Sequence, residues 1–195
     1  MKQALIIFGL SIILMTGCSS DNTPKTQYYL LNSPTLDSSG IIGDDNNPII
    51  TVQIEELPDY LKQPSLVLQL SDHQLHYSNF HMWAEPLQVS IARSLTQDLN
   101  TIDNSHNYII MTAPNTKKAK TAVVIDVIAF HATHHSKAIL TGNYWLQQKN
   151  SKNSLQKHHF KFTVALDLDG YPHAVEQMRK AVTQLANEIT ESINQ

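Results

Sequence analysis

The chain of 195 residues has a single cysteine, Cys18, and only six glycines. One thiol excludes an intrachain disulfide framework and any thiolate metal cluster, so packing must supply the stability. No Gly-x-Ser-x-Gly turn and no glycine-rich phosphate loop is present, which removes the nucleophile-elbow and nucleotide-cradle readings. Basic charge is not in excess either: 14 basic residues stand against 17 acidic ones, whereas nucleic acid as a partner calls for a basic surface. The carboxylate pairs Asp44 with Asp45 and Glu55 with Glu56 are immediate neighbours. Neighbours on a strand point to opposite faces, and in a loop they are solvated, so neither pair makes an acid–base couple. No catalytic constellation emerges, no cofactor is called for, and a non-enzymatic protein is expected.

What is present begins at the N-terminus. Lys2 precedes an apolar stretch from Ala4 to Met15, closed by the small residues Thr16 and Gly17. That stretch is well short of the roughly twenty residues a membrane-spanning helix takes. A charged start, a short apolar segment and a small-residue end make a secretory signal peptide. The small residues abut Cys18 in "LMTGCSS", which resembles the lipobox of bacterial lipoproteins. The resemblance implies cleavage after Gly17, a diacylglycerol on the Cys18 thiol and acylation of the new amino group. The lone cysteine is then a lipid attachment point. Each buried CH2 contributes about 0.8 kcal/mol, so several acyl chains hold a protein far more firmly than one. In Gram-negative lipoproteins an Asp after the cysteine favours retention at the inner membrane; here Ser19 follows, and the periplasmic face of the outer membrane is the expected destination.

Removing residues 1–17 leaves 178 residues with a net charge of −4, a single domain of ordinary size. Residues 18–26 read as a lipidated polar tether and 27–195 as one periplasmic domain. Within it, "QYYLLN" has strand character, and residues 33–48, "SPTLDSSGIIGDDNNP", read as a loop. Ile50, Val52 and Ile54 alternate with polar residues, as in a half-buried strand. "LPDYL" interrupts, because Pro58 cannot donate to a ladder. Leu66, Leu68 and Leu70 alternate again, and a shorter strand is expected around Leu75 and Tyr77.

The period then changes. Leu87, Ile91, Leu95 and Leu99 recur every four residues behind Pro86, which suits the first turn of an amphipathic helix. "NYIIMT" returns to strand character. Three long strands are expected over Val123 to Phe130, Ala138 to Gln147 and Phe160 to Leu168, joined by links short enough for an antiparallel meander. From His173 onward Val175, Met178, Val182, Leu185, Ile189 and Ile193 mark one stripe of a C-terminal helix. The fold class expected is α+β, an antiparallel-rich sheet with two amphipathic helices packed on it.

Ten histidines are many for this length. His131, His134 and His135 cluster near one hairpin, and His158 with His159 at the start of another strand, and imidazole is a common ligand for zinc, copper or nickel. Yet no carboxylate or thiolate lies among them at a ligand spacing, so no metal ligand is assigned. His73, His76, His81, His106 and His173 are scattered and read as polar surface. In "ELPDYLKQPSLVLQL", Leu57, Tyr60 and Leu61 put apolar side chains into a proline-bounded turn, and Trp83 stands just ahead of the first helix. Two readings stay open for these: caps on the core, or an exposed patch for a partner.

"YYLL", "LPDYLKQPSLVLQL", "FHMWAEPLQVSIARSLTQDL", "LTGNYWL" and "DGYPHAVEQMRKAVTQLANEI", in that order behind a lipobox, resemble the PqiC/YmbA lipoproteins, auxiliary lipoprotein components of ABC-type transport systems. The likeness runs over nearly the whole chain. It implies a component of an intermembrane transport system with phospholipid as cargo. Its partners would be a periplasm-spanning MCE-domain tunnel protein and, through it, an integral inner-membrane protein, with the lipoprotein itself in a homo-oligomeric ring. At the level of the motif, Leu57, Pro58, Tyr60, Leu61 and Trp83 are then interface positions. A structural envelope lipoprotein without a role in lipid transfer and a periplasmic histidine-rich metal-binding protein are the alternative readings.

Overall fold

The computed structural model describes residues 24–32, 46–114, 116–148 and 156–194. The expected signal peptide, Gly17, Cys18, most of the tether and residues 33–45 of the expected loop lie outside them. In chain order the elements are β1 (Gln27–Tyr29), β2 (Ile49–Glu56), β3 (Ser65–Ser71), β4 (Gln74–Trp83), α1 (Leu87–Ile102), β5 (Asn107–Ile110), β6 (Thr121–Thr133), β7 (Lys137–Gln148), β8 (Gln156–Ala165) and α2 (Tyr171–Ile193). Among the described residues the strands form one eight-stranded mixed sheet with both helices packed on it, an α+β architecture.

β6 is the axis of the sheet. Along one side it runs antiparallel to β7 over its whole length, and β7 in turn to β8, which is the meander expected from the short links. The other side of β6 is shared. Its first half, from Thr121 to Asp126, pairs in parallel with β2, and its last two residues, Ala132 and Thr133, pair in parallel with Leu68 and Gln69 of β3. The sheet therefore forks: β5 extends it beyond β2, whereas β4 and then β1 extend it beyond β3. The antiparallel ladders are the longest, and the parallel pairings are made by crossovers that local patterning does not encode.

Alternation along β7 puts Ala138, Leu140, Gly142 and Tyr144 on the helix side, with Phe160 of β8 and Ile125 and Phe130 of β6. Tyr144 and Ile125 are fully buried, and the Tyr144 hydroxyl lies 2.6 Å from Ser192 Oγ of α2. Gly142 is required by close approach: a Cβ there would sit 2.1 Å from the Asp126 carbonyl oxygen and 2.6 Å from the Phe160 ring. Val124, Asp126, Asn143, Trp145, Lys157 and His159 occupy the opposite, open face.

α1 forms where the four-residue spacing falls, burying Leu87, Ile91, Leu95 and Leu99. Pro86 precedes it as N-cap rather than entering the first turn, and its carbonyl accepts from the Val89 and Ser90 amides at 3.0 and 3.1 Å. α2 starts at Tyr171, two residues before the expected His173, behind Gly170 at φ +105°, where a side chain would be strained. The predicted stripe is buried, with Ala181 and Ala186 alongside, except that Ile193, the last residue of the helix, is only half-buried.

The periodicity misleads at two strand ends. Leu70 is 44% exposed at the hairpin end of β3, where the burial of Leu66 and Val67 gives out, and Leu168 is 68% exposed because β8 stops at Ala165. The strand around Leu75 and Tyr77 is also longer than expected, ten residues ending at Trp83.

Candidate functional site

Leu57 and Leu61 are buried, and so is Trp83 at the end of β4, so for these three the core-cap reading describes the fold and the exposed-patch reading does not. Pro58 and Tyr60 are half-buried and Asp59 and Lys62 exposed, which makes them the outer surface of the turn. The physical cause is the fork in the sheet. After Glu56 the chain leaves β6, and it rejoins β6 only at Leu68; the "LPDYL" turn fills the interval.

That turn is a short 3-10 segment, Asp59–Leu61, closed by Leu61 N–H donating to the Pro58 carbonyl at 2.8 Å and Lys62 N–H to the Asp59 carbonyl at 3.1 Å. Lys62 Nζ meets Asp59 Oδ1 at 2.7 Å and holds that carboxyl below its ordinary range. The Tyr60 hydroxyl donates to the Ile128 carbonyl at 3.3 Å, within the stretch of β6 that neither β2 nor β3 pairs, and its ring meets His131 edge-on at 6.0 Å. Burial, with Tyr77 nearby, pushes the Tyr60 phenol up to about 12, so it donates throughout the physiological range.

Ile128 sits at a register shift of β6 against β7 and is 51% exposed. A bulge re-aims a side chain that would otherwise follow the pleat. Beside it, a groove of about 450 Å³ is bounded by Pro58, Asp59, Lys62, Asp126, Ile128 and Asn143, and it opens toward the outer sheet face. There the Trp145 indole carries Lys157 Nζ at 5.6 Å from its ring centre. The arrangement places an apolar spot, Ile128 and Pro58, beside side chains of both signs of charge, Asp59, Asp126 and Lys62.

"WAEPL" belongs to the same end of the molecule. Trp83 N–H donates to the Pro64 carbonyl at 2.7 Å, and Gln88 Nε2 to the Ile54 carbonyl at 2.7 Å, tying the start of α1 to the end of β2. Arg93 reaches back to Glu85 at 2.6 Å. β1 runs parallel to the end of β4, with Tyr29 opposite Trp83, and Ala84 N–H donates to the Tyr29 carbonyl at 2.8 Å. The stretch after the tether is thereby fastened beside both motifs. A larger hollow of about 700 Å³ lies at the other end of the sheet, lined by Pro48, Ile49, Lys118, Lys120, Leu146 and Ile193 among others.

The histidines separate. His131 is not in a hairpin loop but in β6, buried, with Nδ1 3.1 Å from the Ala132 carbonyl; burial holds its imidazole below its ordinary value. His134 and His135 form an exposed loop tip. His81, expected at the surface, stacks on Tyr171 at 3.8 Å with its Nδ1 2.8 Å from the Tyr29 hydroxyl. His106 lies 2.8 Å from Asp103, and the His173 side chain is only 10% exposed, 2.7 Å from Asp167.

One group escaped the sequence reading. Asp98 of α1 receives a bidentate pair of bonds from Arg179 of α2, both 2.5 Å, and a third from Thr183 at 2.9 Å. Arg179 Nε donates to Asn32 at 2.9 Å, and Asn32 donates to Gln97 at 2.8 Å, so this pair joins the two helices and the N-terminal segment. The signal was available: Asp98 falls on the apolar stripe of α1, where a charge needs a partner.

A family model described as ABC-type transport auxiliary lipoprotein component matches residues 29–190. The chain belongs to that family. It is 26% identical over 194 residues to the intermembrane transport lipoprotein PqiC of Escherichia coli (strain K12), covering 99% of this chain and 98% of that protein. The PqiC of Shigella flexneri matches to the same extent. Two crystal structures share the fold. One, of a protein of uncharacterised function, has a TM-score of 0.71 at 22% identity, covering 87% of this chain and 99% of that one. The other, of a Xanthomonas campestris protein, has a TM-score of 0.60 at 14% identity, covering 73% and 81%. The chain is thus a lipoprotein of a transport-related system. Among the described residues no helix is long and apolar enough to cross a membrane.

Proposed function

We propose that this lipoprotein is the outer-membrane component of an intermembrane phospholipid transport system, docking a periplasm-spanning MCE-domain tunnel protein and, through it, an integral inner-membrane protein. The observation that carries the reading is likeness over 99% of the chain to proteins named intermembrane transport lipoproteins. The mechanism is positional. Acyl chains on Cys18 hold the domain at the membrane, several copies form a ring, and the ring aligns the end of the tunnel with the acceptor leaflet. Pro58 and Tyr60, with Ile128 beside them, are the contact positions, and Leu57, Leu61 and Trp83 support them from beneath.

The test is affinity purification of the full-length lipoprotein from its own envelope, with mass spectrometry of co-purifying proteins and lipids. An MCE-domain protein recovered together with phospholipid supports the reading. A lone monomer with neither overturns it, and an MCE-domain protein without lipid favours a purely structural tether. Cys18→Ala is expected to fold normally and leave the membrane fraction of cells that lack the partner; its retention there contradicts the anchor assignment.

A further inference from the structure

We infer that Asp72, His134 and His135 form a binding site for a divalent transition metal, shared between two hairpin tips. The placement follows from the fork in the sheet. The parallel pairing of Leu68 with Ala132 and Gln69 with Thr133 runs β3 and β6 side by side into their respective turns. Asp72 lies in the two-residue turn between Ser71 and Gln74, and His134 and His135 in the loop between Thr133 and Lys137. Residues sixty-odd positions apart in the chain thus meet at one edge of the molecule.

The geometry at that edge fits a ligand set. One donor atom from each of the three side chains lies within 4.8 Å of the other two, and the two imidazole centroids are 3.9 Å apart. Donors each about 2.0–2.2 Å from a common tetrahedral centre stand somewhat closer than that limit, a gap that rotation of exposed side chains closes. All three side chains are exposed and none has a hydrogen-bond or ion-pair partner among the described residues, so the one contact that has to open is that between the two imidazole rings, which turn apart to face a shared ion.

The backbone presents the histidines firmly. Ser136 adopts φ +52°, and its amide donates to the Thr133 carbonyl at 3.2 Å, as in three-residue hairpin loops whose last residue is left-handed. Leu166 N–H donates to the Ser136 carbonyl at 2.8 Å and Thr133 Oγ1 to the Lys137 carbonyl at 3.1 Å, which braces the loop from both sides.

Two imidazoles and one carboxylate suit zinc, copper(II) or nickel, and three protein ligands leave a coordination position open to water or to a side chain of another molecule. In the sequence the carboxylate was invisible because it belongs to a different hairpin, and His131, which looks like the third ligand, is buried in β6. The site is independent of the transport reading.

Isothermal titration of the full chain in detergent with Zn2+ alone tests it, with thermal unfolding as a second measure. One equivalent of Zn2+ per chain and a rise in Tm are expected. His134→Ala/His135→Ala and Asp72→Asn should each lower affinity by about tenfold or more, since even losing an outer partner of a metal ligand costs that much. Both sets of residues are exposed, so circular dichroism should show unchanged folding. His158→Ala/His159→Ala should bind as the wild type does. Absence of Zn2+ binding, or binding that survives in the His134→Ala/His135→Ala variant, overturns the assignment.

Discussion

Replacing Arg179 by Met should destabilise the domain by about 2–3 kcal/mol. The figure is placed between two limits: breaking a buried ion pair by removing one partner costs roughly 3–5 kcal/mol, and an exposed pair is worth about 0–1 kcal/mol. Here the Arg179 side chain is 23% exposed and that of Asp98 11%, closer to the buried limit. Loss of the guanidinium leaves Asp98 with Thr183 as its hydrogen-bond partner and strips Asn32 of its bond from Nε. Urea unfolding of the mature chain, followed by far-UV circular dichroism, should then show a midpoint lower by about 1–2 M at the slopes usual for such domains. Adding Asp98→Leu to Arg179→Met should restore much of the loss, because the uncompensated buried charge is gone. A double-mutant cycle reads this directly as a coupling energy. A single variant within about 0.5 kcal/mol of wild type, or a double variant that merely sums the two losses, would refute the reasoning. Because Asn32 is part of the cluster, Arg179→Met should also speed limited proteolysis around residues 24–32.

Gly142→Ala should cost about 3 kcal/mol, the upper end of ordinary overpacking, because its Cβ would meet the Asp126 carbonyl 2.1 Å away and a backbone atom cannot step aside; a loss below about 1 kcal/mol in urea unfolding would show that β6 yields there. Ile128→Asp should leave the unfolding midpoint nearly unchanged, since the side chain is 51% exposed, yet reduce recovery of the co-purifying partner several-fold; undiminished recovery would remove the groove from the interface. Acid should destabilise the domain in two windows. Burial holds His131 below its ordinary value, so the unfolded chain binds the extra proton first, and stability falls as pH drops below about 6.5. Burial pushes the Asp103 carboxyl up, but bonds from Tyr108, Ser105 and His106 outweigh it and leave it depressed. Its contribution is present above about 3.9 and lost as pH falls through the folded value. Urea midpoints between pH 7.5 and 5 should fall less steeply for His131→Gln than for wild type, and equal slopes would sink the assignment.

Much of this fold was legible from spacing. The stripe from Val175 to Ile189 and the four-residue recurrence from Leu87 to Leu99 specify helices, because the side that a 3.6-residue period repeats must be covered. The alternation in β2, β7 and β8 specifies strands for the corresponding reason at period two. Errors gathered where an element ends, as at Leu70 and Leu168, because periodicity states which face is apolar and not how far the cover extends. For the residues of the "LPDYL" turn, spacing could not say which of them point inward. Leu57 and Leu61 do, and Pro58 and Tyr60 do so only in part.

By itself the sequence determined the elements, the single domain, the absence of a catalytic motif and the expectation of a lipid on Cys18, since each depends on residues close together in the chain. The tertiary structure decided what depends on pairing between distant segments. Only the parallel pairing of β2 and of β3 with one side of β6 opens the interval that Tyr60 fills. Only the packing of α1 on α2 brings Arg179 to Asp98, 81 residues away. Only two hairpins running to one edge set Asp72 beside His134 and His135. Such contacts depend on register and crossover, and local hydrophobic periods are blind to both.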